Sequence, residues 1–256
     1  MAVNFDHSQN LYTLKGPQLA LPILFVGEKP SSLLDVGCGT GAWLKAAMDF
    51  GIPDVLGVDG VELPPDQLRV PGDRVRHQDL TLPWHLHKRF DTVICLEVAE
   101  HLPPTSSHSL IEALCEHSNH IIFAAGCPNQ PGQNHINCQW PEYWQDLFNS
   151  NGFACEDDIR PKMWNIQEIE VWYRQNIFTA RRSPSAGRET RILGMVHPEF
   201  LPVFISVAGA TVAQEAAKAA SQKTHNKIMN GGLRFSDYPK MTVRAFVNRI
   251  KHRLNK

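Results

Sequence analysis

The sequence predicts an α/β fold, in which a doubly wound, mostly parallel sheet of seven strands carries helices on both faces and a helical C-terminal extension follows. Two observations predict it. Apolar runs with the composition of buried strands alternate with helical patterns through the first 180 residues, as expected where helices connect parallel strands. A glycine-rich turn follows the first of these runs, at the sheet edge where such folds bind ligands.

The predicted elements follow one another without an internal repeat. Apolar runs predict strands at residues 33–36, 54–58, 75–78, 90–97, 120–125, 153–159 and 171–180. The last two strands are expected to pair antiparallel, which adds one antiparallel strand to a mostly parallel set. Apolar residues at helical spacing predict helices at residues 42–50, 107–117, 141–150, 211–221 and 242–254.

A chain of 256 residues is long enough for one large α/β domain with an appendage. A polar, turn-rich stretch at residues 181–188 predicts a boundary between a domain at residues 1–180 and an extension at residues 181–256. The last predicted helix of the extension is amphipathic and basic. Such a helix most often docks on its own protein, and it can also bind a partner or an anionic surface.

Charge and cysteine content exclude several classes of protein. The net charge is −1, from 25 basic and 26 acidic side chains, so no overall field attracts nucleic acid, although a local basic patch is not excluded. No apolar run is long enough to span a bilayer, and residues 1–15 lack the apolar core of a signal peptide. The six cysteines are scattered without a Cys-x-x-Cys pair, which favours free thiols in a reducing cytoplasm.

The glycine-rich turn is the most informative motif. Glycine permits backbone angles and close approaches that a Cβ would forbid, and the start of the following helix offers free N–H groups and a positive dipole end. The spacing is Gly-x-Gly-x-Gly, unlike the Gly-x-Gly-x-x-Gly of dinucleotide-binding folds. The turn therefore predicts a ligand site with six candidate residues, Asp35, Gly37, Cys38, Gly39, Thr40 and Gly41.

Acidic residues follow the next strands. Asp59 and Gly60 end the second strand, and Asp59 lies 18 residues beyond Gly41, close to the spacing at which an acidic residue meets ribose hydroxyls in nucleotide-binding units. One carboxylate can accept hydrogen bonds from both hydroxyls of a diol. Four further residues at strand ends complete the candidate cofactor site, with Asp79 and Leu80 after the third strand and Leu96 and Glu97 at the end of the fourth.

These four motifs, in order over residues 33–101, resemble those of the class I S-adenosylmethionine (SAM) dependent methyltransferases, which have a Rossmann-like sheet. The resemblance implies that Asp35 helps to hold the methionine end of SAM and that the glycines make room for it. It also implies that Asp79 contacts the adenine amino group and that Leu80 covers the ring. The expected cofactor is SAM, and the alternative is a nucleotide-binding sheet that uses another cofactor.

A second group of candidates lies at the same sheet edge. If the chain coils helically after the fourth strand, Glu97, Glu100 and His101 share one face, and His135 follows the fifth strand. Such a group can bind Mg²⁺ or another divalent cation. Alternatively, His101 and His135 are catalytic as a general base or as substrate-orienting residues.

The four-residue group is similar to the Mg²⁺ site of the RNA 3′-terminal 2′-O-methyltransferases. Its Glu-x-x-Glu-His part also resembles the ubiquinone-biosynthesis O-methyltransferases, some of which bind a divalent cation. The same motif is common in class I methyltransferases in general, often without a metal, so the resemblance leaves both possibilities open. A bound cation would lower the pKa of an acceptor hydroxyl and make its oxygen a better nucleophile.

The preferred function is methyl transfer to a hydroxyl of a small molecule or glycan, because the net charge is near zero and no RNA-binding domain is attached. One alternative is a 2′-O-methyltransferase of an RNA end, which predicts a basic groove leading to the site. Another is a SAM-binding partner subunit without catalysis. The oligomeric state is not determined by the sequence.

Overall fold

Seven strands form one sheet in the order β3-β2-β1-β4-β5-β7-β6. All neighbouring strands are parallel except around β7, which runs antiparallel to both β5 and β6. The bounds are β1 Ser32–Val36, β2 Asp54–Asp59, β3 Val75–His77, β4 Thr92–Leu96, β5 His120–Ala124, β6 Phe153–Glu156 and β7 Phe178–Arg182. This computed structural model, which describes residues 5–7 and 13–229, confirms the predicted α/β fold and its seven-stranded, mostly parallel sheet.

Helices cover both faces of the sheet. They are α1 Lys15–Leu24, α2 Ala42–Asp49, α3 Ser107–His117, α4 Pro141–Ser150, α5 Arg160–Met163 and α6 Val171–Asn176. A further helix, α7 Leu201–Met229, follows the sheet in the sequence. Buried side chains of α1 and α2 belong to one apolar cluster, and those of α3 and α4 belong to another. Two separate clusters on opposite faces are what a doubly wound sheet requires.

The strands supply both apolar clusters because successive side chains of a strand point to opposite faces. In β5, Ile121 and Phe123 pack with α3 and α4, whereas Ile122 and Ala124 pack with α1 and α2. All four side chains are fully buried. This double burial explains why the sequence of a central strand is continuously apolar rather than alternating.

The topology also fixes where a ligand can bind. The chain leaves β1 towards β2 on one side, whereas β4 lies beside β1 on the other side and leads to β5. The connections therefore diverge between the carboxyl ends of β1 and β4. A crevice opens at such a switch point, and open α/β sheets bind their ligands there.

The prediction of a strand over residues 171–180 is wrong for its first half. Val171–Asn176 is helix α6, and the strand β7 begins only at Phe178. The side chain of Arg174 is buried in this helix and donates hydrogen bonds to the carbonyl oxygens of Ile169 (2.8 Å) and Trp164 (3.1 Å). These tertiary contacts outweigh the β-propensity of the Val-Trp-Tyr run, since β-propensity depends strongly on context.

The C-terminal part is described only in its first portion. The described residues up to Phe204 form one compact unit, and a second unit begins at Ile205. The predicted helix at residues 211–221 is part of α7, and the predicted helix at residues 242–254 lies outside the described residues. The predicted division of the chain after residue 180 stays a prediction. Within residues 5–7 and 13–229, no helix has the length and apolar character needed to cross a membrane.

Candidate functional site

A cavity of ≈ 370 Å³ lies at the carboxyl ends of β1, β2 and β4. Its volume is within the range of about 300–1,000 Å³ that is typical of small-molecule sites. Nine of the twelve residues predicted to bind a cofactor line it, namely Asp35, Gly37, Cys38, Asp59, Gly60, Asp79, Leu80, Leu96 and Glu97. The three others, Gly39, Thr40 and Gly41, do not line the cavity and instead shape the turn beside it.

The turn needs glycine at position 37 for two reasons. Its φ of 78° lies in the left-handed region, where a side chain causes strain. A Cβ there would also lie 2.3 Å from Cγ2 of Val98, so the backbones of the two turns could not approach. Because residue 37 has no side chain, the two turns can approach each other, and the strand ends that carry Asp35 and Glu97 can lie close together.

Asp59 is fixed as a buried acceptor at the end of β2. Its carboxylate accepts hydrogen bonds from the backbone N–H of Gly39 (2.8 Å) and Val61 (2.8 Å). Nε2 of His7 lies 3.5 Å from one of the same oxygens. Each carboxylate oxygen retains capacity for a second hydrogen bond, so Asp59 presents an oriented hydrogen-bond acceptor to the cavity.

Asp79 and Leu80 line the cavity after β3, as predicted. The Asp79 carboxylate accepts hydrogen bonds from the N–H (2.9 Å) and hydroxyl (2.6 Å) of Thr81, and these two bonds lower the pKa of Asp79. Leu80 is buried. The pair combines an ionised acceptor with an apolar surface, which suits a flat ring that carries an amino group.

Asp35 is a buried carboxyl group with an unsatisfied oxygen. It is 3% exposed, and its Oδ2 has no hydrogen-bond partner among the described residues. Burial, with a contribution from the charge of Asp59, raises the pKa of Asp35 to about 8. A buried carboxyl without a partner indicates that a positively charged or donor group belongs beside it.

The chain does not coil helically directly after β4, which corrects the expected common face of Glu97, Glu100 and His101. Glu97 has a φ of 57° in the left-handed region, and only Ala99–His101 forms a short 3-10 helix. The Glu97 carboxylate instead accepts hydrogen bonds from the side-chain amides of Gln130 (2.6 Å) and Asn176 (2.9 Å). Burial outweighs these bonds and raises its pKa to about 7.

Three of the four predicted metal ligands converge. Donor atoms of Glu100, His101 and His135 all lie within 4.8 Å of one another. Glu100 is completely buried, and neither carboxylate oxygen has a hydrogen-bond partner among the described residues. Glu97 is not part of this three-residue group, although its carboxyl group interacts with that of Glu100, and burial together with the charge of Glu97 raises the pKa of Glu100.

Backbone carbonyls orient both histidine rings. With each Nδ1 as the protonated nitrogen, His101 donates to the carbonyl of Gln133 (2.8 Å) and His135 donates to that of Gln130 (2.9 Å). This leaves the Nε2 lone pairs available, which is the usual arrangement of metal-binding histidines. Burial lowers the pKa of His135, and burial with the charge of His135 lowers the pKa of His101 to about 4. Both rings are therefore neutral at pH 7.

The loop after β5 leaves room for the His135 ring through Gly132. A Cβ at residue 132 would lie 2.0 Å from Nε2 and 2.4 Å from Cε1 of His135. The absence of a side chain at Gly132 thus allows His135 to reach Glu100. The donor set, the unsatisfied carboxylate and the neutral imidazoles together fit a divalent cation.

Several cavity residues were not predicted from the sequence. Aromatic side chains line it, namely Phe5, Trp43, Trp172, Tyr173 and Phe200. The ring of Phe5 lies 4.8 Å from that of His101. The amide residues Gln130 and Asn176 were also missed. Gln130 could have been suspected from its place after β5, whereas Asn176 gives no signal because it reaches Glu97 from 79 residues away.

Comparison with known proteins gives the family. The sequence pattern of a family described as a methyltransferase domain matches residues 9–180. The chain belongs to this family. The predicted membership of the class I SAM-dependent methyltransferases is therefore confirmed. No curated protein sequence matches this methyltransferase.

Solved structures of other proteins are similar to this chain. DesVI of Streptomyces venezuelae is 14% identical with a TM-score of 0.50, over 70% of this methyltransferase and 100% of DesVI. CalS10 of Micromonospora echinaspora, an amino pentose methyltransferase, is 17% identical (TM-score 0.47, 69% and 94% coverage). KedS8 of Streptoalloteichus sp ATCC 53650, a sugar N-methyltransferase, is 16% identical (TM-score 0.49, 68% and 89% coverage). At these identities the likeness extends to the fold alone.

Proposed function

We propose that this protein transfers the methyl group of SAM to a hydroxyl of a small molecule or glycan, assisted by a divalent cation. The observation that carries the proposal is a single cavity with two parts. One part has the buried carboxyls Asp35 and Asp59, and the other has the converging donors of Glu100, His101 and His135. Protein carboxyl groups that bind SAM lie in the same cavity as the cation site. The methyl donor and the acceptor hydroxyl would therefore be held together in one space.

The chain's residues fit SAM at the first part. The unsatisfied oxygen of Asp35 accepts from the methionine ammonium, and Asp59 accepts from the ribose hydroxyls. Asp79 and Leu80 hold the adenine amino group and ring. SAM supplies the activated methyl group on its positively charged sulfur.

Ionisation of Asp35 gives the proposal a pH dependence. Because the pKa of Asp35 is raised to about 8, the carboxyl is protonated at lower pH and must lose its proton when the SAM ammonium binds. The affinity for SAM should therefore rise with pH, by up to about tenfold per pH unit, until the pH passes about 8. Calorimetry across this range, in buffers with different ionisation enthalpies, measures the affinity and the released protons.

Asp35→Asn is the matched control for the pH dependence. The variant keeps the shape of the side chain but cannot ionise, so its weaker SAM binding should lose the part of the pH dependence that comes from Asp35. If wild-type protein and Asp35→Asn showed the same dependence on pH, Asp35 would not be the ammonium partner.

At the second part, Glu100, His101 and His135 would hold the cation. Two imidazole nitrogens and one carboxylate suit Mn²⁺, Fe²⁺, Co²⁺ or Zn²⁺ better than Mg²⁺, which prefers oxygen ligands. The cation supplies Lewis-acid polarisation of the acceptor hydroxyl. A histidine with a pKa near 4 is a weak general base, so the geometry favours ligation over proton abstraction for His101.

The reaction balances without another reactant. The acceptor oxygen forms a bond to the methyl carbon while the carbon–sulfur bond breaks, the electron pair stays on sulfur and the hydroxyl proton leaves to water. The residues would act by holding the acceptor oxygen in line with the methyl carbon and the sulfur, which lowers the barrier through orientation.

The test uses metal-free protein and a panel of diols, catechols, sugars and short RNA ends, with product detection by mass spectrometry. We expect SAM binding without metal, and transfer to a small hydroxyl compound that Mn²⁺ or Co²⁺ restores more strongly than Mg²⁺. Transfer that is indifferent to chelation would contradict the cation. Lack of SAM binding would contradict the cofactor, and SAM binding without transfer to any acceptor would favour a non-catalytic partner subunit.

A further inference from the structure

The described lining of the cavity is acidic and contains neither lysine nor arginine. Six of its residues carry carboxyl groups, namely Asp35, Asp59, Asp79, Glu97, Glu100 and Glu170. Phosphate and carboxylate ligands are normally bound by arginine, lysine or helix N-termini. The part of the cavity lining that the structure describes therefore offers no lysine or arginine side chain to a phosphate or carboxylate of an acceptor.

Two buried arginines, Arg160 and Arg174, form ion pairs with residues that do not line the cavity. The guanidinium of Arg160 pairs with Asp157, and that of Arg174 pairs with Glu199 at 2.6 Å. Each is about 2% exposed or less. Since removing the carboxylate partner would leave a buried guanidinium without its counter-charge, neither arginine is available to an anionic acceptor.

Two residues that line this cavity have buried carboxyl oxygens without a hydrogen-bond partner among the described residues. Glu100 is completely buried with neither oxygen bonded, and Asp35 is 3% exposed with Oδ2 unbonded. Both residues line the cavity. Buried acceptors of this kind are stable only beside positive charge or donors, so the cavity is built for ligands that carry positive charge.

Glu97 and Glu170 are the two lining carboxyls that the proposed cofactor and cation leave without a role, and Glu97 is the one of the two that buried amides hold in place. Its two oxygens are held by the amides of Gln130 and Asn176, which are themselves buried at 6% and 5% exposure. Asn176 also donates to Gln130 (2.9 Å), so the three side chains form a closed triangle. The triangle fixes the direction of the Glu97 carboxyl group, which also interacts with Glu100 and keeps one further acceptor position.

We propose that the acceptor carries an ammonium or similar positively charged group besides its reacting hydroxyl, and that Glu97 binds this group. The proposal rests on the proposed function and names the class of its acceptor. The aromatic rings of Trp172 and Tyr173 line the same cavity, and aromatic faces attract cations as well. Gln130 and Asn176 are positioning residues, because they act through Glu97.

The test titrates three probes of similar shape, benzylamine, benzyl alcohol and benzoate, into protein with and without S-adenosylhomocysteine, using saturation-transfer NMR. At neutral pH these probes carry one positive charge, no charge and one negative charge. We expect benzylamine to bind about tenfold more tightly than benzyl alcohol, since a hydrogen bond to a charged group adds roughly this factor. Benzoate should bind more weakly than the alcohol.

Glu97→Gln removes the ionisable carboxyl group with little change in size, and exposed Glu168→Gln is the matched control outside the cavity. The preference for benzylamine should fall to within about twofold in Glu97→Gln and persist in Glu168→Gln. Benzylamine that binds no more tightly than benzyl alcohol, whether both bind or neither does, would overturn the proposal, as would a preference retained in Glu97→Gln. Binding of S-adenosylhomocysteine, measured in the same samples, reports separately on the proposed function.

Discussion

Asp59→Ala should weaken SAM binding by about a thousandfold. The carboxylate is held by the N–H groups of Gly39 and Val61 and is proposed to accept from two ribose hydroxyls. Two hydrogen bonds to a charged group contribute about 4 kcal/mol together, which is roughly three powers of ten in Kd. Isothermal calorimetry with SAM measures the loss, and circular dichroism checks that the variant folds.

Two further variants serve as comparisons for Asp59→Ala. Asp59→Asn keeps one oxygen acceptor and should lose only about tenfold, whereas exposed Asp66→Ala should bind SAM as the wild type does. An Asp59→Ala protein that is folded and binds SAM within threefold of the wild type would show that the ribose lies elsewhere.

Gly132→Ala should weaken divalent-cation binding by about a hundredfold. The added methyl group would lie 2.0 Å from Nε2 of His135, so the imidazole must move away from Glu100 and His101. Displacing a ligand through its surroundings typically costs about 10–100-fold in metal affinity. Titration of Mn²⁺ or Co²⁺ followed by calorimetry, or by the visible spectrum of Co²⁺, measures the change.

The matched control is Gly72→Ala. Its added methyl group meets no atom within 4 Å, so its cation affinity should equal that of the wild type. SAM affinity should survive in Gly132→Ala, because Gly132 lies by the histidines and not by Asp35 or Asp59. Unchanged cation binding in Gly132→Ala would contradict ligation by His135.

Much of the fold was predictable because local patterns carry it. The apolar runs at β1, β2, β4 and β5 appear as strands close to their predicted bounds, since strands buried on both faces require continuous apolar sequence. The helices α2, α3 and α4 also follow their apolar spacing. Residues 171–176 were predicted as a strand but form a helix. The buried side chain of Arg174 makes its hydrogen bonds from this helix, and the local sequence pattern does not indicate that an arginine will be buried.

The candidate site divides in the same way. The methyltransferase motifs could be recognised from the sequence alone. The turn after the first strand requires glycine for its backbone geometry, and the strand ends require aspartate for its charge. Each requirement is met by the residue type at one position, which the sequence shows directly. Only the tertiary structure shows that Glu97 is not one of the converging donors, which are Glu100, His101 and His135. The reason is that its direction depends on Gln130 and Asn176, which approach from distant parts of the chain, and on a left-handed turn. Contacts between residues far apart in sequence exist only once the sheet has brought them together.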